Sequence, residues 1–527
     1  MTEVDFIIVG AGSAGCTLAA RLTESGAHRV LLLEAGGSDR RFWIQLPIGY
    51  GKSFHDPRVN WMYRTEPEPA LGGREGYWPR GKVLGGSSSI NAMVHVRGQA
   101  ADFDDWKARG NPGWGWNDVL PYFRKSECAL HVTDVARDCH PLCDAYLNAC
   151  TEIGLGRTPD FNGPNQEGVG LYRIATRNGQ RLSAARAYLW PAMSRTSLRV
   201  ETHAHATRIL FEGRRAIGVE YRVGGNVKTA RARREVILAA GAIASPQLLQ
   251  LSGVGAGALL QANGIAVTHD SPAVGRNLQD HLCIDHLYGS RRATLNQELG
   301  TWRGRIRAGL RYLLWRRGPL AMSVNQGGGF VRTRPQLSRP NIQLYFSPLS
   351  YTRAVPGERA LMRPDRFPGF LLSAQPCRPT SRGHLQIRDR DPFAPPAIFP
   401  NSLATQEDRG AMLEASRFLR RLAAAPSLAA IIADELQPGA TVQSDEELFD
   451  DIKRRASTVF HPVGTCRMGP DQKDDVVNSE LMVHGLQALR VVDASIFPAV
   501  TSGNTNAPTI MVAEKGADLI LGTARSQ

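Results

Sequence analysis

Phe6-Ile7-Ile8-Val9 is an apolar run without alternation, the pattern of a strand covered on both faces in a parallel sheet. Gly10-Ala11-Gly12-Ser13-Ala14-Gly15 follows at once, and Leu18, Ala19 and Leu22 then recur at helical spacing up to a predicted C-cap at Gly26. Val30-Leu31-Leu32-Leu33 makes the next strand, ending in Glu34. The predicted order is βαβ. Two further strands of the same sheet are predicted far downstream, at Glu235-Val236-Ile237-Leu238-Ala239-Ala240-Gly241 and at Leu489-Arg490-Val491-Val492-Asp493. The first domain is therefore discontinuous, with a second lobe inserted where the chain is richer in Arg, Pro and aromatic residues. The expected division is 1–286, an inserted lobe at 287–448, and a return at 449–527.

A glycine fingerprint alone is a weak signal, and a structural turn is its plain alternative. Here it stands between strand and helix, and Glu34 lies nineteen residues beyond Gly15, which is the arrangement of a dinucleotide site. Gly10 permits the tight turn, Gly12 lets backbone approach a pyrophosphate at the helix N-terminus, Gly15 allows close packing, and Glu34 can accept from ribose hydroxyls.

Near the other end, His461 opens His461-Pro462-Val463-Gly464-Thr465-Cys466-Arg467-Met468-Gly469, and Asn504 opens Asn504-Thr505-Asn506-Ala507-Pro508-Thr509. A neutral imidazole can accept a proton and a carboxamide can hold an oxygen, the pair that alcohol oxidation beside a redox cofactor requires.

With 527 residues, 42% hydrophobic and 21% charged, the chain fits a globular protein of two lobes. The formal charge of +14 comes from basic residues spread along the whole length, so a solvated basic surface is expected rather than nucleic-acid binding. Eight cysteines at irregular spacing predict free thiols in a reducing compartment, and Cys139-His140-Pro141-Leu142-Cys143 lacks the second ligand pair of a zinc site. Met1-Thr2-Glu3-Val4-Asp5 does not read as a secretory signal, and no apolar run reaches the ~18 residues of a membrane span. The expectation is a cytoplasmic protein, peripheral to the inner face of the cell membrane at most.

Five ordered motifs carry a resemblance to a known family: the fingerprint; Gly81-Lys82-Val83-Leu84-Gly85-Gly86-Ser87-Ser88-Ser89-Ile90-Asn91; Ala240-Gly241-Ala242-Ile243-Ala244-Ser245-Pro246-Gln247-Leu248-Leu249; Gly275-Arg276-Asn277-Leu278-Gln279-Asp280-His281; and the His461 and Asn504 segments. Together they resemble the glucose-methanol-choline (GMC) family of FAD-dependent oxidoreductases. The resemblance implies an α/β fold with a Rossmann-like FAD-binding domain and an inserted lobe built on a mostly antiparallel sheet. It implies hydride transfer from an alcohol to the flavin, with His461 as general base and Asn504 bonding the same oxygen. The implied FAD contacts are Gly10, Gly12, Ser13, Ala14, Gly15, Glu34, Ala35, Trp61, Val83, Gly86, Ser87, Asn91, Met93, Val94, Thr207, Gly241, Asp493, Ala494, Asn506, Pro508 and Thr509. In some members the position of Ile90 is a histidine that bonds the flavin, so FAD is expected here without a covalent link. Pro508 at a first helical turn suggests a helix whose positive end faces the flavin.

The substrate pocket is expected at Gln326, Phe330, Tyr345 and Phe346. Choline-oxidising relatives carry a glutamate before a similar Gly-rich run, and Gln326 in Asn325-Gln326-Gly327-Gly328-Gly329-Phe330 has no charge, which favours a neutral, primary alcohol. Oxygen and a quinone both stand as acceptors. Three alternatives remain: a lyase using FAD structurally, a nicotinamide enzyme, and a non-catalytic membrane-associated flavoprotein. Finally, Trp302, Ile306, Leu310, Leu313 and Leu314 form a helical stripe beside the row Arg303, Arg307, Arg311. Within 302–317 this is either an ordinary lobe helix packing its stripe into the core or a peripheral contact with a lipid surface.

Overall fold

The computed structural model describes residues 2–351 and 363–526. Its first sheet is built as the apolar runs predict. β1 (Thr2–Val9) leads through the glycine turn into α1 (Ser13–Leu22) and on to β2 (Val30–Glu34), whose five residues are all buried. β2 pairs in parallel with β1 and with β3 (Leu198–Thr202). β4 (Ala204–Glu212), β5 (Arg215–Val223) and β6 (Asn226–Leu238) form an antiparallel meander, and the end of β6 runs parallel to β1. The strand order is β4-β5-β6-β1-β2-β3, with Leu489–Val491 pairing on β6. Both downstream runs thus lie in this sheet.

Gly15 shows why the fingerprint needs glycine for packing. A Cβ there would come within 1.8 Å of the Gly10 carbonyl oxygen, so any larger residue would push α1 off the strand it follows. After β6, α2 (Gly241–Leu251) begins at once, and its start is tied to the second return: Asp493 Oδ2 accepts from Gly241 N (2.8 Å) and Ser245 Oγ (2.6 Å).

The second sheet is antiparallel. β7 (Leu282–Ser290) is followed by α3 (Trp302–Trp315), β8 (Gly327–Val331), β9 (Ile342–Ser347), β10 (Gly369–Pro376), α4 (Gln406–Ala423) and β11 (Ile432–Gln437). The order is β11-β7-β10-β9-β8, and Gly168–Leu171 closes the far edge on β8. Two strands cross the division expected from sequence. The boundary at 287 falls inside β7, and 168–171 joins the second sheet although it precedes that boundary. A strand goes to the edge that offers it partners, which composition along the chain does not reveal. Separate apolar cores serve the two sheets, one including Ile7, Leu32, Ile237 and Val491 and the other Ile284, Leu344, Phe370 and Leu422. The chain closes with α5 (Asn506–Ser526), packed against α1.

Candidate active site

One cavity of about 690 Å3 runs between the sheets, within the size range of cofactor and ligand sites. The N-terminal residues of α1 (Gly12, Ser13), α2 (Gly241) and α5 (Asn506, Thr509) line it, so the positive ends of three helices converge there. Ser13 Oγ donates to Asn506 Oδ1 at 2.7 Å and ties two of those helix ends together. At Gly12 an added Cβ would meet no protein atom closer than 3.9 Å. Packing therefore does not demand glycine here, unlike at Gly15, and the turn is open to close approach by a ligand. The opposite wall touches the same turn, because a Cβ on Gly86 would reach Gly12 Cα at 2.6 Å.

Glu34 lies at the cavity end of β2. Its carboxylate accepts from Ala11 N (2.9 Å) and Gly36 N (2.8 Å), and burial pushes its pKa up to about 7. A dinucleotide ribose offers such a carboxylate the hydroxyl donors that solvent no longer supplies. Of the expected cofactor contacts, Gly10, Gly12, Ser13, Glu34, Ala35, Trp61, Gly86, Ser87, Asn91, Met93, Val94, Gly241, Asp493, Ala494, Asn506 and Thr509 line the cavity. Ala14 and Gly15 sit behind the turn, Val83 packs with Ile44, Val59 and Ile90, and Pro508 is not in the wall. Thr207 is turned away, its hydroxyl donating to Glu220, while its neighbour Ala206 faces the cavity.

At the other end His461 and Asn504 meet. Asn504 Nδ2 lies 3.1 Å from His461 Nε2, and the remaining contacts fix which atoms face each other. His281 Nε2 is 2.9 Å from the Cys377 carbonyl, which can only accept, so His281 carries its proton on Nε2. Its Nδ1 is then a lone pair, and it lies 3.0 Å from His461 Nδ1, which must donate. His461 Nε2 is left with its lone pair toward Asn504. The amide is fixed in turn: Gln343 Nε2 donates to Asn504 Oδ1 (3.2 Å), Gln375 Nε2 to Gln343 Oε1 (3.0 Å), and Tyr345 Oη to Gln375 Oε1 (3.2 Å). A proton acceptor and an N–H donor thus meet, Asn504 Nδ2 donating to His461 Nε2.

Burial, His281 and Arg80 hold the His461 pKa well below the ordinary imidazole value, and burial lowers His281 to about 4. Both rings are neutral at pH 7. The backbone that presents His461 is constrained: Phe460 adopts φ +71°, a conformation costing about 1–2 kcal/mol for a non-glycine residue. Arg80 Nη2 donates to the Phe460 carbonyl (2.7 Å) and His461 N to Asp280 Oδ1 (2.7 Å), which hold that turn. Burial raises Asp280 to about 7 and lowers Arg80 to about 10.

Three expected pocket residues are placed elsewhere. Gln326 Oε1 accepts from His140 N (2.7 Å), Phe346 stacks on Tyr146, and Phe330 packs against Phe161; none lines the cavity. Only Tyr345 does. The wall beside His461 includes Phe54, Met93, Val94, Cys283, Phe460 and Tyr345 instead. His281, Gln343 and Gln375 had no predicted role. The motif ending in Asp280-His281 was the available signal for the first, and buried glutamines on otherwise apolar strands for the other two.

Residues 4–283 and 379–513 match the two family models described as GMC oxidoreductase. The chain belongs to the GMC oxidoreductase family. It is 42% identical to an oxygen-dependent choline dehydrogenase of Photobacterium profundum (99% of this chain, 93% of the relative). It is also 42% identical to an alcohol dehydrogenase [acceptor] of Pseudomonas putida (98% and 95%). Among solved structures it resembles pyridoxine 4-oxidase from Mesorbium loti, with TM-score 0.87, 31% identity and 98% of each chain covered. A formate oxidase structure aligns with TM-score 0.90 at 26% identity, covering 100% of this chain and 99% of the other. This GMC oxidoreductase is an FAD-dependent enzyme acting on CH–OH donors, with the expected α/β fold. The lyase alternative finds no support among these relatives.

Proposed function

We propose that the enzyme oxidises a neutral, primary alcohol to the aldehyde, with His461 as general base and Asn504 holding the alcohol oxygen. The observation that carries this reading is the pairing of the His461 Nε2 lone pair with the Asn504 amide N–H at 3.1 Å in the cavity wall. A hydroxyl placed there donates to Nε2 and accepts from Nδ2, so its proton leaves as charge builds on oxygen. When bound, FAD supplies the two-electron acceptor that takes hydride from the carbinol carbon. The helix ends of α1 and α5, with Gly12, Gly86, Glu34 and Asn506, would hold it, and Ile90 leaves that hold non-covalent. Its electrons pass to oxygen or a quinone.

Identity does not choose the alcohol, since relatives named oxygen-dependent choline dehydrogenase at 42% to 44% and one named alcohol dehydrogenase [acceptor] at 42% are similarly close. Gln326 no longer bears on that choice. The wall bears on it: Phe54, Met93, Val94 and Phe460 are apolar, and Asp280 beside them is spent on His461 N, with burial raising its pKa to about 7. A quaternary ammonium would lose hydration against these apolar side chains, although Glu68, Glu75 and Asp285 also line the cavity. The proposal extends to location, a cytoplasmic protein peripheral to the inner face of the cell membrane through 302–317; among the described residues no helix is long and apolar enough to cross a membrane. Anaerobic flavin bleaching by benzyl alcohol and medium-chain alkanols, compared with choline, tests the substrate. Faster bleaching by choline would overturn the neutral assignment.

A further inference from the structure

The stripe on α3 does not pack into the core. Trp302, Ile306, Leu310, Leu313 and Leu314 are between 53% and 69% exposed, while Ala308 and Tyr312, on the other side of the helix, are buried. At about 100° per residue, Trp302, Leu313, Ile306, Leu310 and Leu314 cover an arc of roughly 120°. Arg307 and Arg311 run along one edge of the arc, Arg305 along the other, and Arg303 within it, all exposed, with Arg311 also paired to Asp138 at 3.1 Å. No acidic residue occurs from 302 to 317. An exposed apolar arc edged by arginines is how a helix lies in the interface of an anionic bilayer, with side chains in the acyl boundary and guanidinium groups at the phosphates.

The inside of the helix joins the active-site wall. Tyr312 packs with Leu46, Ile48 and Ala321, and Val324 touches both that cluster and the one holding Phe54 and Met93. Val324, Phe54 and Met93 line the cavity. We infer that the outer face of α3 docks on an anionic membrane surface and thereby sets one wall of the active-site cavity against the bilayer, the source of a lipophilic alcohol or acceptor. This deepens the peripheral reading of 302–317 and rests, for the molecule taken up, on the alcohol-oxidising assignment. A second copy of the chain is the poorer occupant, because a two-fold contact through this face would set arginine rows against each other.

The test is flotation of the holoenzyme with vesicles of equal parts phosphatidylcholine and phosphatidylglycerol, and with phosphatidylcholine alone. Wild type should rise with the anionic vesicles, less so at high salt. The double variant Leu313→Glu/Leu314→Glu, at exposed positions, should partition at least about tenfold less, and Arg303→Gln/Arg307→Gln should lose the salt-sensitive part. Both should reduce a soluble dye with a water-soluble alcohol at the wild-type rate. Absence of flotation, or unchanged flotation of the glutamate variant, overturns the inference. So does a wild-type dimer that the glutamate substitutions split, which would assign the face to a second copy. If no alcohol bleaches the flavin, the substrate reading fails while the flotation result stands.

Discussion

Replacing His281 by phenylalanine removes the one acceptor that orients the His461 ring. The phenyl ring fills a similar volume, but the 3.0 Å contact to His461 Nδ1 and the 2.9 Å contact to the Cys377 carbonyl are both lost. Each lies in a buried place, where an unsatisfied donor or acceptor costs about 1–3 kcal/mol. His461 escapes part of that cost by moving its proton to Nε2, the atom that must be free to take a proton from the alcohol. At ~1.4 kcal/mol per tenfold, the competent tautomer falls by roughly 5- to 150-fold, and the rate of flavin reduction should fall with it. The expected signature is a loss in kcat with little change in KM, since His281 is not among the residues lining the cavity.

The assay is anaerobic stopped-flow reduction with saturating alcohol, beside FAD content and melting temperature to confirm folding. His281→Gln supplies an amide oxygen able to accept from His461 Nδ1 and should recover part of the rate. A phenylalanine variant within about two-fold of wild type would refute the tautomer argument. Equal losses in the phenylalanine and glutamine variants would show that volume, not the acceptor, matters.

His461→Ala should slow flavin reduction by roughly 10²- to 10⁴-fold with FAD retained, and Asn504→Ala by roughly 10²- to 10³-fold; wild-type rates in both, read by stopped flow, would remove the proposed roles. Acid precipitation should leave the yellow colour in the supernatant, because Ile90 cannot bond the flavin; colour in the pellet would mean another residue does. Glu34 gives a pH signature in the apoprotein. Its folded pKa is raised from 4.5 to about 7, so the stability it contributes is full below about pH 4.5 and is lost as pH rises through 7, about 3 kcal/mol in all. Melting of apo Glu34→Gln across pH 5 to 8 should therefore show a shallower decline than wild type; identical slopes would mean the carboxyl is not protonated in the folded chain.

What could be read from sequence was local, and what could not was a matter of pairing. The βαβ unit shows in the chain because strand, glycine turn, helix and acid are contiguous, so Gly12 and Glu34 lie within one 34-residue stretch. His461 and Asn504 were legible because each opens its own turn motif. His281 stood inside a motif but acquires its part only across 180 residues, through a ring that no periodicity points to. Phe346 is misplaced for a sharper reason. β8 and β9 pair with Gly327 opposite Phe346 and Gly328 opposite Tyr345, and side chains alternate along a strand. Tyr345 and Gln343 therefore face Asn504, while Leu344 and Phe346 face the second core. A Gly-rich run marks that a strand passes near the site, but the face each neighbour takes is set by register, and a slip of one residue inverts every assignment. The α3 stripe is the converse case. Its spacing alone fits a buried face or a bilayer face equally, because both need the same apolar arc. Only its exposure separates them, and exposure is fixed by the neighbours the lobe does or does not place over it.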